Sequence, residues 1–136
     1  MSVPKKTPLH DWHVAKGANM ADFGGYEMPL WYTPVQKEHL AVVTSAGIFD
    51  TSHMAAVTVT GPDAFDLLQQ CFSNDLAGCV GPKKKPLSDG RCVYGAFLDQ
   101  SGHVIDDAIV FRMAADDYFI VVNAGMGAQI AQHLMD

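Results

Sequence analysis

The chain has 136 residues, a length typical of a single domain that buries about two-thirds of its unfolded surface. Its 49% hydrophobic and 18% charged residues exclude an intrinsically disordered chain. A formal net charge of -6 argues against non-specific binding to nucleic acid or to a membrane surface, which requires an excess of lysine and arginine. We expect a cytoplasmic protein, because the sequence has neither an apolar run of about 18 residues nor a secretory signal at its start.

The first third of the chain predicts a helix followed by an extended segment. Thr7-Pro8 is typical of an N-cap followed by the first helical residue, and Gly17 is typical of a helix end. The next residues, 18–32, are predicted to be extended, with a break at Gly24-Gly25. A second helix should then begin at Thr33-Pro34.

The start of the second helix matches a capping box, in which Gln36 would bond back to the N-cap. We expect this helix to end at Gly47. Beyond it the periodicity predicts a strand at residues 57–60 and a helix after Gly61. A β-hairpin, a further strand and a final helix should follow, at residues 93–98, 104–111, 118–122 and from about 125. This order predicts an α+β fold, with an antiparallel or mixed sheet and flanking helices.

Residues 74–90 form the longest stretch without hydrophobic periodicity. It contains three consecutive lysines, Lys83–Lys85, with a proline on each side. The prolines prevent a continuous helical stripe of charge, so a solvated loop tip is the favoured interpretation. A contact for phosphate or polyglutamate is the alternative.

Two polar clusters contain residue types used in active sites, and for both we favour a structural interpretation. His10 and His13 share a helix face, but a metal site needs three or four ligands and no third is evident nearby. Asp50, Ser52 and His53 have the residue types of a hydrolytic triad, but triads gather their members from separate elements. We therefore predict neither a metal site nor a hydrolase.

The least expected local feature is a pair of acids, Asp106 and Asp107, inside an apolar strand. Alternation along a strand points the two carboxylates to opposite faces, so one of them must face the more buried side. A buried carboxylate is costly unless it is paired, is protonated or has a function. The strand pattern alone leaves open which of the two is buried.

Short motifs also occur in a distinctive order along nearly the whole chain. They are KTPL at residues 6–9, HVAKGA at 13–18, DFGGYEMP at 22–29, EHLAV at 38–42, AGIFDTSHM at 46–54, SNDL at 73–76, GHVIDD at 102–107 and VVNA at 121–124. In this order they resemble the aminomethyltransferase family, the T-proteins of the glycine cleavage system. The resemblance extends from Lys6 to about Leu134.

This resemblance implies a folate-dependent one-carbon transferase. The family takes the aminomethyl group carried on the lipoyl arm of the H-protein, releases ammonia and passes the carbon to tetrahydrofolate. The resemblance further implies that tetrahydrofolate is the cosubstrate, that no metal is used and that the lipoylated H-protein is the partner. Residues 1–136 would be the N-terminal part of the family's folate-binding domain. We expect them to be inactive alone and to need a C-terminal part, or a second copy, for completion.

The resemblance also assigns site residues. Asp106 matches the family's catalytic acid, whose expected role is to handle charge and protons at the folate nitrogens. Asp106 would then be the carboxylate on the buried side, and Asp107 the outward one. The residues that match further folate contacts are Met54, Tyr94, Val122 and Asn123.

Two other functions remain open: a folate-dependent demethylase of the same family, and a non-catalytic fragment that binds folate or docks onto a partner. The chain departs from the family pattern between Asn74-Asp75 and Tyr94, where it is several residues longer and carries the lysine run. In the final helix, Ile130 and Leu134 have no later segment to cover them, so we expect an exposed apolar face there.

Overall fold

The computed structural model describes residues 3–136, which divide into one unit up to His53 and another from Met54. Each unit contains one sheet with helices, so the predicted α+β class is confirmed. The elements of the first unit are β1 (Lys5–Lys6), α1 (His10–Ala15), β2 (Asn19–Phe23), β3 (Tyr26–Trp31) and α2 (Val35–Thr44). Those of the second unit are β4 (Ala55–Thr60), α3 (Ala64–Cys71), β5 (Arg91–Leu98), β6 (Val104–Ala114), β7 (Asp117–Val122) and α4 (Gly127–Met135).

The first unit is built on a three-stranded sheet in the order β1-β3-β2. β2 and β3 form an antiparallel hairpin, and β1 runs parallel to β3. The hairpin turns at Gly24 and Gly25, whose φ angles of 60° and 82° are the positive values that a tight two-residue turn requires. The break predicted at these glycines is therefore confirmed.

The capping role predicted for Thr7 is wrong. Helix α1 begins only at His10, and the helix has no side-chain cap. Thr7 is buried, and its hydroxyl donates to Asp50 Oδ2 at 3.3 Å. The Thr7 hydroxyl thus bonds to a residue 43 positions away, and not to the backbone at the start of the helix.

The capping box predicted for α2 is also wrong. Glu38, rather than Gln36, accepts hydrogen bonds from the backbone N–H groups of Tyr32 and Thr33, at 2.7 and 2.5 Å. Pro34 occupies the N-cap with an extended ψ of 128°, and the two donors that Glu38 holds belong to the segment before the helix rather than to its first turn. The helix ends at Thr44, before the predicted Gly47.

The second unit is a four-stranded antiparallel sheet in the order β4-β7-β6-β5. One face packs with α3, α4 and the loop that follows α3 to form the core. Its buried members are Ala64, Leu68, Phe72, Leu76, Leu87, Phe97, Ala108, Val110, Tyr118, Ile120, Val122 and Ile130. Because Leu76 and Leu87 belong to this core, both ends of the lysine-bearing loop are anchored.

The apolar face of α4 is covered, contrary to expectation. Ile130 is fully buried and Leu134 packs against the same core. The close approach depends on Gly127 at the helix start, where an added Cβ would lie 2.8 Å from the Cβ of Ala55 in β4. The sequence argument failed because it sought the cover later in the chain, whereas the preceding sheet supplies it.

Among the residues that the structure describes, no helix is long and apolar enough to cross a membrane.

Candidate functional site

The aspartate pair lies where three strands of the second unit meet. Asp106 and Asp107 stand near the start of β6, and Asn123 follows the last residue of β7. The antiparallel register pairs Ala108 with Val122, which brings the residues just beyond that pair next to each other. The backbone pairing therefore brings two carboxylates and one amide together at one end of the central strands β6 and β7.

The two carboxylates point to opposite faces, as the alternation predicts. Asp106 shares the core face with Ala108 and Val110 and is 9% exposed, whereas Asp107 is exposed on the other face. Any solute that approaches the sheet from its open face therefore meets Asp107 first.

Asn123 joins the pair through its amide group. Its Nδ2 donates to Asp106 Oδ1 at 2.8 Å and to Asp107 Oδ1 at 2.7 Å. Its backbone N–H donates to the second oxygen of Asp106 at 3.0 Å. Both oxygens of Asp106 are thus occupied, which satisfies the buried carboxylate and fixes the amide between the two acids.

Tyr94 completes the arrangement on the open face. Its hydroxyl donates to Asp107 Oδ2 at 2.9 Å, while the ring is 64% exposed. Hydrogen bonds from Tyr94 and Asn123 lower the pKa of Asp107, which is therefore ionised at neutral pH. The same contact, with the negative charge of Asp107, raises the pKa of Tyr94 and keeps the phenol protonated.

The other two predicted folate contacts, Met54 and Val122, lie next to this cluster in the strand pairing and form none of its side-chain hydrogen bonds. Val122 is fully buried in the core and pairs with Ala108, two residues after Asp106. Met54 is half-buried and directly precedes β4, whose first residue, Ala55, pairs with Val122. Hydrogen bonds therefore join Asp106 to Asn123 directly, and join Tyr94 to Asn123 through Asp107. Met54 and Val122 lie beside this cluster in the strand pairing.

Sequence reasoning gave Asp107 no role in the site. The signal that could have found it is the register of the β5–β6 hairpin. Tyr94 pairs with Ile109, which makes Asp107 a diagonal neighbour of Tyr94 on the same face.

A second polar network lies within the first unit and centres on Asp50. His13 bonds to Asp50 Oδ2 through Nε2 at 2.8 Å and to the hydroxyl of Tyr32 through Nδ1 at 2.5 Å. Burial alone would raise the pKa of Asp50, but hydrogen bonds from Ser52, His13 and Thr7 outweigh it and lower the pKa to about 2. The network is thus built around an ionised buried carboxylate.

These contacts account for the two polar clusters singled out in the sequence. His10 bonds to Asp11 and Glu27 and shares no partner with His13, and the described residues hold no group of three potential metal ligands. Ser52 donates its hydroxyl directly to Asp50 at 2.5 Å. A histidine would have to stand between serine and aspartate in a hydrolytic triad.

Comparison with known proteins adds the family. The model of the family described as the GCVT N-terminal domain matches residues 9–136. This chain belongs to that family. The match covers both units and includes every residue of the aspartate cluster.

Curated relatives carry the name aminomethyltransferase. The one from Bordetella petrii is 48% identical over 120 residues, and the one from Chlorobaculum tepidum is 45% identical over 120 residues; each alignment covers 88% of this chain. The chain spans about a third of those relatives, 31% of the length of each. The crystal structure of the glycine cleavage system aminomethyltransferase T from Bartonella henselae matches 98% of this chain and 35% of that protein, with a TM-score of 0.80 and 35% identity.

Proposed function

We propose that this chain supplies the aspartate-bearing part of a tetrahydrofolate-dependent aminomethyltransferase of the glycine cleavage system. The observation that carries the proposal is the cluster of Asp106, Asn123, Asp107 and Tyr94, within a chain whose curated relatives are named aminomethyltransferase. The proposed donor is the aminomethyl-lipoyl arm of the H-protein, and the proposed acceptor is tetrahydrofolate.

The proposed reaction balances without an oxidant. The transferred carbon loses its bonds to the lipoyl sulfur and to nitrogen, and gains bonds to N5 and N10 of the folate. The two protons released from the folate nitrogens end on the dihydrolipoyl thiol and on ammonia. Positive charge develops on the carbon–nitrogen unit during the transfer, so an ionised carboxylate beside it lowers the barrier.

The two aspartates differ in burial, and we propose a different role for each. We propose that Asp107 meets the folate directly, because it is exposed and ionised and its position is fixed by Tyr94. Asp106 then acts as a positioning residue, because it is buried on the core face and holds both the side-chain amide and the backbone N–H of Asn123. This division modifies the assignment drawn from the family resemblance, which gave the catalytic role to Asp106.

Because the chain spans only about a third of its relatives, we propose that residues outside it complete the site. By the resemblance these include a glutamate and an arginine that contact the pterin. The loss of two charge-assisted contacts, each about 1.5–3 kcal/mol, lowers affinity about a hundredfold or more. We therefore expect the 136-residue chain alone to bind tetrahydrofolate weakly and not to turn over.

The function is tested in a full-length protein that contains this sequence. Purified protein is mixed with aminomethylated lipoyl H-protein and tetrahydrofolate, and ammonia and 5,10-methylene-tetrahydrofolate are measured together. We expect the two products in equal amounts, and none when the H-protein is unlipoylated. Transfer of a methyl group without ammonia would instead identify a demethylase, and folate binding without either product would identify a non-catalytic module.

A further inference from the structure

A cavity of about 750 Å³ lies in the second unit, beside the loop that carries the lysine run. Both arginines of the chain line it. The other charged residues of the lining are Lys85 and Asp89. Its volume falls within the usual range for small-molecule sites.

Arg112 forms one fixed wall of the cavity. Its Nε lies 2.9 Å from Asp89 Oδ1, and its Nη1 donates to the carbonyl of Leu87 at 2.8 Å. A guanidinium has five N–H donors, so these two contacts orient the group and leave other donors available. Arg112 is thus preorganised to bind an oxyanion.

Arg91 stands directly opposite Arg112 in the β5–β6 ladder, so both side chains leave the sheet on the same face. Arg91 is exposed, and no carboxylate of the described residues lies within ion-pair distance of it. A structural role in holding the loop explains Arg112 but leaves the charge of Arg91 unexplained.

The lysine run approaches the cavity on a defined hairpin. Val80 and Lys85 exchange backbone hydrogen bonds of 2.9 and 3.0 Å, which close the turn at residues 81–84. Lys84 holds a φ of 47°, a left-handed conformation that is uncommon for a residue with a side chain. The turn therefore fixes where Lys85 enters the cavity wall.

The region around this cavity is positively charged, although the chain as a whole is negatively charged. Five of the nine Lys and Arg residues are the two arginines and the three lysines of this hairpin, whereas the chain as a whole carries -6. Asp89 is the one acid in the lining and is paired with Arg112. Arg91 and Lys85 therefore leave the lining with a net positive charge, and a concave site with such a charge concentrates anionic ligands.

We propose that this cavity binds a multivalent oxyanion through Arg91, Arg112 and Lys85. The cationic groups come from two strands and a hairpin around a space larger than one phosphate, which favours a ligand with more than one anionic group. A run of carboxylates and a pyrophosphate-type group share this chemistry. The site uses none of the residues of the aspartate cluster, so it does not depend on the function proposed above.

The test is titration calorimetry on the 136-residue chain at low salt, with pyrophosphate and a triglutamate peptide as the two probes. We expect saturable binding of at least one probe, weakened as salt increases. Arg91→Gln and Lys85→Gln should each weaken this binding about tenfold or more, because each removes a charge-assisted contact. The tighter probe shows whether phosphate or carboxylate is preferred.

Lys37→Gln is the matched control, since it removes one charge from an exposed position in α2, in the other unit. Binding should be unchanged in this variant, and circular dichroism should show that all variants fold. Absence of binding of both probes at several millimolar would overturn the proposal. Equal weakening by Lys37→Gln would also overturn it, because the binding would then follow net charge alone.

Discussion

Asp50 shows how a single buried charge is made tolerable in this protein. Its side chain is 4% exposed, yet it accepts hydrogen bonds from Ser52, His13 and Thr7. Because the folded-state pKa of about 2 lies below the ordinary value of 3.8, the ionised carboxylate stabilises the fold above about pH 4. That contribution is lost as the pH falls from about 4 towards 2.

Asp50→Asn should therefore lower the free energy of unfolding by about 2 kcal/mol at neutral pH and reduce its acid dependence between pH 4 and 2. Urea denaturation at a series of pH values measures both effects. Asp66→Asn, a change at an exposed position in α3, serves as the control and should leave the acid dependence unchanged. Equal pH profiles for Asp50→Asn and the parent chain would contradict this account of the network.

At the residue scale, the sequence predicted where polar residues are unusual but not what they contact. Alternation in β6 was enough to predict that one aspartate of the pair is buried and the other exposed. The bond between Tyr94 and Asp107 depends on the hairpin register, and the bond between Thr7 and Asp50 joins residues 43 positions apart. A local sequence pattern cannot predict contacts between residues so far apart in the chain.

The start of α4 lies close against strand β4 in the second unit. An alanine Cβ at position 127 would lie 2.8 Å from the Cβ of Ala55, so the helix or the strand must shift to accept it. The core residue Ile130 is carried on the same helix. Displacement of α4 therefore loosens the packing of the core.

Gly127→Ala should lower the free energy of unfolding by about 1–3 kcal/mol, although alanine is the better helix former. Chemical denaturation monitored by circular dichroism measures this loss. The double variant with Ala55→Gly removes the opposing methyl group and should recover part of it. An increase in stability for Gly127→Ala alone would show that the close approach is not a constraint.

At the element scale, periodicity predicted the order and type of the elements in the second unit, whereas β2 and β3 were predicted only as an extended segment and the two-residue strand β1 was not predicted. Helix starts could not be predicted. Glu38 bonds to the backbone N–H groups of Tyr32 and Thr33 before the helix, and Thr7 bonds to Asp50, 43 positions away. The cover of Ile130 was also missed, because a helix face can be buried by a sheet that precedes it in the chain.

At the scale of the whole molecule, the apolar surface that remains exposed is concentrated in the first unit. Helix α2 has no buried residue, and Ile48 and Phe49 after it are 98% and 71% exposed. Large exposed apolar patches favour association. The sequence predicted such a patch in this chain but placed it on α4.

We predict that the 136-residue chain binds a hydrophobic dye and self-associates as its concentration rises. The double variant Ile48→Ser with Phe49→Ser should reduce both effects, because it removes the two most exposed large side chains of this segment. Sedimentation velocity and dye fluorescence make the measurement, with Met135→Ser in α4 as the control. A monomer without dye binding at high concentration would contradict the prediction.

We propose that the aspartate cluster performs the one-carbon transfer and that Asp107 is the carboxylate in direct contact with the folate. The decisive measurement is the steady-state kcat of Asp107→Asn and Asp106→Asn in a full-length protein containing this sequence, with circular dichroism to confirm folding. We predict that Asp107→Asn lowers kcat by about 10²–10³ with little change in KM, since it removes charge that acts in the transition state. Asp106→Asn should lower kcat by about tenfold and reduce stability, because it releases Asn123. The reverse ranking would return the catalytic role to Asp106, and an unchanged kcat in both variants would show that the cluster is structural.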